Sequence, residues 1–132
     1  MRNDKENLIV DLSFQFALKV LKFSNRLEEE KKFVLARQIL RSGTSLGANI
    51  RESQNAESLA DFIHKLKIAA KEADETSYWL ELCKEAPGYP SSEELLIEIH
   101  SIIKIISKII SSSKRKLKVD SSSNFQITKS SN

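Results

Sequence analysis

The chain has 132 residues, 21 Lys plus Arg against 18 Asp plus Glu, 40% apolar residues, three Gly, two Pro and one Cys. That is enough for one domain to bury a core without disulfide or metal staples. The lone Cys83 cannot bridge internally, no run approaches the roughly 18 apolar residues of a membrane span, and MRNDKENLIVDLSF lacks the apolar segment and cleavage site of a signal peptide. Disulfide scaffolds and membrane spans are thereby excluded, and a reducing, cytoplasmic setting is expected.

The sparse Gly and Pro let helices run long, and four emerge in chain order. The first is expected over about residues 12–27, capped by Asp11, with Leu12, Phe16, Val20, Phe23 and Leu27 at helical spacing. Phe14, Leu18 and Leu21 form a second apolar stripe. This helix therefore has two faces to bury, more than one small core covers.

The second helix, about 29–53, is expected to open on Glu28, Glu29 and Glu30 and to continue through Phe33, Ala36, Leu40, Gly43, Gly47 and Ile50. A rival reading makes Arg41-Ser-Gly-Thr44 a turn, since an interior Gly costs about 1 kcal/mol against Ala. One continuous helix is preferred, because Ala36, Gly43 and Gly47 share a stripe on which another helix can approach closely.

Ser58 and Asp61 form a capping box that opens a third helix over about 59–85, with the stripe Leu59, Phe62, Leu66, Ala69, Ala73, Thr76, Leu80 and Cys83. Ala86-Pro-Gly-Tyr-Pro90 ends it. Ser91 and Glu94 suggest another capping box before a fourth helix, about 92–112, whose broad apolar face runs from Leu95 to Ile110. Residues 114–132 are rich in Ser, Lys and Asn, and are expected to be a disordered basic tail beyond a domain at 1–113. The expected fold is all-α, an antiparallel up-down four-helix bundle.

Charge is unevenly spread. Residues 1–110 hold 16 basic and 17 acidic groups, a net of −1, while 111–132 hold five and one, a net of +4. Within the body, 12–51 carry eight basic and three acidic groups (+5), and 52–98 carry four and eleven (−7). Such polarity suits either a basic face for nucleic acid or a positive surface that meets a negative one on the next subunit. Plain solvated helix faces are the bland alternative.

Catalytic signatures are missing: there is no phosphate-binding loop, no nucleophile elbow, and no His or Cys pair at metal-ligand spacing. No catalytic residue, metal or cofactor is expected. Lys19, Lys22, Arg26, Lys31, Lys32, Arg37 and Arg41 are the candidate RNA or DNA contacts. No aromatic residue interleaves them as a base-stacking platform would require. Gln38, Arg41, Ser45, Asn49 and Glu52 recur at steps of three and four along one flank of helix two. In a hairpin turning near Ala56, Arg41 lies opposite Glu72 and Glu75, so an interhelical pair that fixes register is expected.

The strings RSGTSLGANI (41–50), FIHKLKIA (62–69) and KEADETSYWL (71–80) resemble those of the four-helix family named for proteins encoded within intervening sequences of 23S rRNA genes, over about residues 7–110. The resemblance implies a bundle that assembles into a cyclic homopentamer. More distantly, the chain is similar to the accessory protein of diversity-generating retroelements, which implies nucleic-acid binding. The functional expectation is a nonenzymatic oligomeric module that binds RNA or DNA through its basic surface, with Phe14, Leu18 and Leu21 at the oligomer interface. The alternative is a protein-binding scaffold or accessory subunit without nucleic acid.

Overall fold

The computed structural model describes the backbone of residues 4–130 and the side chains of residues 8–121. Four helices follow in order: α1 (Asp4–Glu29), α2 (Phe33–Ser53), α3 (Leu59–Glu85) and α4 (Glu93–Ser130). Each packs on its neighbour in sequence, and α1 closes the bundle against α4, which puts α1 and α3 on one diagonal and α2 and α4 on the other. Contacts run antiparallel along each pair. Gly43 meets Val20 and Gly47 meets Ser13, while Arg41 reaches Glu72 and Lys65 reaches Glu52. The all-α up-down architecture is the one the periodicity predicts.

The core is built from the expected stripes. Phe16, Val20, Phe23 and Leu27 of α1 are buried with Ala36, Ile39, Leu46 and Ile50 of α2, Leu66, Ala69, Ala73, Leu80 and Cys83 of α3, and Ile99, Ile102 and Ile106 of α4. Full burial of each large side chain is worth about 1.5–3 kcal/mol before chain entropy is counted. The two glycines of α2 do what their stripe suggested, and α2 runs unbroken through residues 41–44. A Cβ on Gly43 would lie 2.8 Å from Val20 Cγ2, so the absent side chain is what lets α1 approach.

Several boundaries differ from expectation. Asp11 is not a cap but an exposed residue inside α1, because Ile9, 1% exposed, carries the core stripe toward the N-terminus. Glu28 and Glu29 belong to the end of α1 rather than the start of α2, and Phe33 is half exposed instead of lying in the core. The reason is the stop at Lys31. Its φ of +63° places it in the left-handed region, Lys31 N–H bonds the Glu28 carbonyl at 2.9 Å and Lys32 N–H bonds the Leu27 carbonyl at 2.7 Å. This is a Schellman stop in which lysine occupies the position usually held by glycine.

The third helix has the expected limits, and Ser58 Oγ accepts the Asp61 N–H at 3.0 Å while Asp61 Oδ2 accepts the Glu57 N–H at 3.2 Å. The Ser91–Glu94 box is not formed. Glu94 is bound to Lys19, and Ser92 beside it is buried, donating to the Leu80 carbonyl at 2.8 Å. The expected end of helix four near residue 112 also gives way, since α4 continues to Ser130. Ser113 is the last buried residue among those whose side chains are described, and Lys114, Arg115, Lys116 and Lys118 are exposed on the extension.

Candidate functional site

The flank of α2 that faces α3 carries the densest polar cluster. Arg41 Nη1 lies 3.4 Å from Glu72 Oε2 and its Nη2 bonds Glu75, so one guanidinium clamps two carboxylates on α3. Gln38 Oε1 accepts from Arg41 at 3.5 Å, and Trp79 Nε1 donates to Glu75 at 3.3 Å. The pair expected from hairpin register is present, with Trp79 as a member that spacing along α2 alone cannot find. Ser45 and Asn49 stay outside the clamp: Asn49 Nδ2 donates to the Ser45 carbonyl at 2.9 Å within α2. Glu52 instead meets Lys65 at 3.5 Å.

Beneath the clamp a buried hydroxyl chain stitches the same two helices. Thr76 Oγ1 donates to Ser42 Oγ at 2.8 Å, and Ser42 Oγ donates to the Gln38 carbonyl at 3.0 Å. Both residues are fully buried, so these bonds remove polar groups that would otherwise lose water without compensation.

The seven candidate cations do not form one free surface. Lys19 bridges α1 to α4 through Glu98 and through Glu94 at 3.0 Å, and those hydrogen bonds hold its ammonium above the usual lysine range. Arg26 pairs with Glu30 at 3.2 Å, Arg41 is clamped, and Lys32 Nζ lies 4.8 Å from the centre of the Tyr89 ring. Lys22, Lys31 and Arg37 are exposed and carry no ion pair among the described residues. The count of cations was legible in the sequence. Their neutralising partners on α4 and α3 depend on tertiary register.

The outer face of α1 is apolar. Phe14, Leu18 and Leu21 are 48%, 44% and 44% exposed, and beside them a half-open groove of about 210 Å³ runs between α1 and α2. Val10, Ser13, Ala17, Thr44 and Gly47 line it, and the Arg51 guanidinium stands 5.8 Å from the centre of the Phe14 ring. The groove exists because Gly47 and Ala48 leave α2 without bulk there. It holds one ionisable side chain, Arg51, and no acid or base to pair with it. Tyr78 and Leu82 on α3 and Ile97 on α4 are further large apolar side chains left exposed, which the sequence reading did not single out.

Groups able to do chemistry are scattered. His64 is exposed, His100 Nε2 sits 3.3 Å from Ser77 Oγ, and burial pushes the Cys83 thiol up to about 11. Among the described residues no three His, Cys, Asp or Glu side chains are placed to hold a metal, and no helix is long and apolar enough to cross a membrane.

The family described as 23S rRNA-intervening sequence protein matches residues 5–112. The chain belongs to that family. The match spans the four packed helices and stops where α4 leaves the bundle. A crystal structure from Bacteroides thetaiotaomicron, described as a protein of unknown function from the S23 ribosomal protein family, is 45% identical, with a TM-score of 0.77 over 81% of this chain and 98% of that one. No curated protein matches significantly. Within this intervening-sequence family the shared unit is therefore the bundle, while the basic extension past residue 112 lies outside the match.

Proposed function

We propose that this intervening-sequence protein is a nonenzymatic module that acts by assembling with copies of itself. The observation that carries the reading is the outward stripe Phe14, Leu18 and Leu21, three large apolar side chains left half in water on a helix whose core face is already fully covered. An apolar patch of this kind, rimmed by polar residues, marks an interaction surface. The pentamer implied by the family resemblance belongs to this reading.

Light scattering on the eluting peak of a sizing column tests it. The native chain should give a multiple of the monomer mass, and Leu18→Glu combined with Leu21→Glu should give a monomer of unchanged helicity. A native monomer at micromolar concentration would overturn the reading.

A second reading, RNA or DNA binding, is supported by the three exposed cations without ion pairs, Lys22, Lys31 and Arg37. Three phosphate contacts make a weak site on one subunit, and repetition around an oligomer multiplies it. Binding of a mixed RNA and DNA pool that weakens steeply with salt, and is lost on reversing these three charges, supports this reading. An assembly that ignores both nucleic acids supports the scaffold alternative, with a protein partner instead.

A further inference from the structure

We infer that the outer face of α4 is the surface on which this chain holds a nucleic-acid duplex by its phosphate backbone. The inference rests on the RNA or DNA reading above and gives that reading a docking face of its own, begun inside the family match and completed on the extension beyond it.

Three observations carry it. The first is composition. Residues 99–119 hold six Lys or Arg and no Asp or Glu, between Glu98 on one side and Asp120 on the other.

The second is direction. Lys104, Lys108, Ser111, Arg115 and Lys118 follow one another at steps of four, three, four and three, and all five are exposed. At about 100° per residue these steps keep them within about 40° of one line along the helix, and at about 1.5 Å per residue the line is about 21 Å long. It passes from the packed bundle onto the extension without a break in α4.

The third is availability. The ion pairs of the described residues engage Lys19, Arg26, Arg41 and Lys65, and no cation of α4 takes part in one. Arg115 donates to the neutral Ser112 Oγ at 3.4 Å, which leaves its charge uncompensated.

The chemistry of the stripe selects the ligand. A duplex laid along it offers a phosphate every ~3.4 Å on each strand, about six per strand over about 21 Å, so each cation meets one whatever the base sequence. Ser101, Ser107, Ser111 and Ser112 stand exposed among the cations, and hydroxyls of this kind donate to phosphate oxygens. No aromatic residue occurs in 99–119, so unpaired bases have no platform to stack on. A helix that lies on a membrane turns its apolar face into the lipid, whereas Ile102, Ile106 and Ile109 are already committed to the core.

Fluorescence anisotropy of a short labelled duplex of arbitrary sequence, titrated with the full chain at increasing salt, tests the stripe. Lys104→Gln with Lys108→Gln should weaken binding about tenfold and lower the slope of log affinity against log salt by about 2, at ~0.9 for each lost phosphate contact. Lys114→Gln with Lys116→Gln removes the same charge from the same helix, but roughly 80° and 120° off the line, and should change the slope by less than half as much. All four positions are exposed, so both variants should keep the native helicity by circular dichroism. Equal losses from the two pairs, or a Lys104 and Lys108 variant that binds like the native chain, would overturn the inference and leave the nucleic-acid reading standing. A native chain that ignores the duplex even at low salt defeats that reading and the stripe with it, and its capture by phosphatidylserine vesicles would then assign the stripe to an anionic membrane surface instead.

Discussion

Gly43 and Gly47 sit four residues apart on one stripe, yet the structure separates them sharply. An added Cβ at Gly43 would press on Val20 Cγ2 and Cγ1 at 2.8 and 2.9 Å, and Val20 is fully buried with a stiff β-branched side chain. Gly43→Ala should cost about 1–2 kcal/mol, because overpacking outweighs the helix propensity gained. At Gly47 the closest atom is the Ser13 carbonyl oxygen at 3.4 Å, an ordinary contact, so Gly47→Ala should be neutral or stabilising by up to about 1 kcal/mol. Urea denaturation of the two variants checks the contrast. The sequence shows that both glycines face a neighbour, but only the register of Val20 shows which one is in the tight place.

Cys83 makes a separate prediction at the same scale. Its thiol titrates at about 11 in the fold against 9.0 ordinarily, because burial disfavours the thiolate. The unfolded chain therefore loses this proton first as pH rises. The associated stability is complete below about pH 9 and fades toward about 11. Lys19, also raised, from 10.5, by Glu98 and Glu94, adds a loss that sets in above that value and continues through its folded pKa. Comparing urea midpoints at neutral and at alkaline pH, the native chain should lose more stability than Cys83→Ala, while the loss due to Lys19 remains in both.

At the level of elements, existence and type were legible wherever a long apolar stripe met a strong breaker. The third helix lies within the predicted limits because Ser58 and the Ala86-to-Pro90 run mark both ends chemically. The α1–α2 boundary was not legible, since its left-handed stop falls on Lys31 and no glycine announces it. The consequence is measurable. Lys31→Gly relieves a conformation that costs an L-residue roughly 1–2 kcal/mol, partly offset by the greater freedom of Gly in the unfolded chain. A net gain of about 1 kcal/mol is expected in thermal or urea unfolding. The start of α4 was legible, but not its cap: Glu94 is taken up by Lys19 across the bundle, so tertiary pairing overrode the expected Ser91–Glu94 box.

For the whole molecule, the unusual property is that a sound core coexists with large apolar side chains left exposed on each of its helices. The sequence made half of this visible, because α1 carries two stripes at helical spacing. The other half, Tyr78 and Leu82 on α3 and Ile97 on α4, shows as exposed only once the fold says which face of each helix is covered. The basic surface shows the reverse relation. Seven cations counted along the chain reduce, among the described residues, to Lys22, Lys31 and Arg37 without ion pairs or a ring partner, once Glu30, Glu72, Glu75, Glu94, Glu98 and Tyr89 have engaged the rest.

The continuation of α4 past Ser113 adds something to this picture. In a cyclic assembly every bundle points the same way, so each copy of Lys114, Arg115, Lys116 and Lys118 emerges on the same rim. That rim becomes a crown of repeated positive side chains, while Lys31 and Lys32 of the α1–α2 turn lie at the opposite end of the bundle. Shortening the chain after Ser113 should lower the salt needed to elute the assembly from immobilised heparin without changing its subunit number. In such an assembly a polyanion meets many weak contacts at once along that rim, so the hold depends on the number of copies more than on any single lysine.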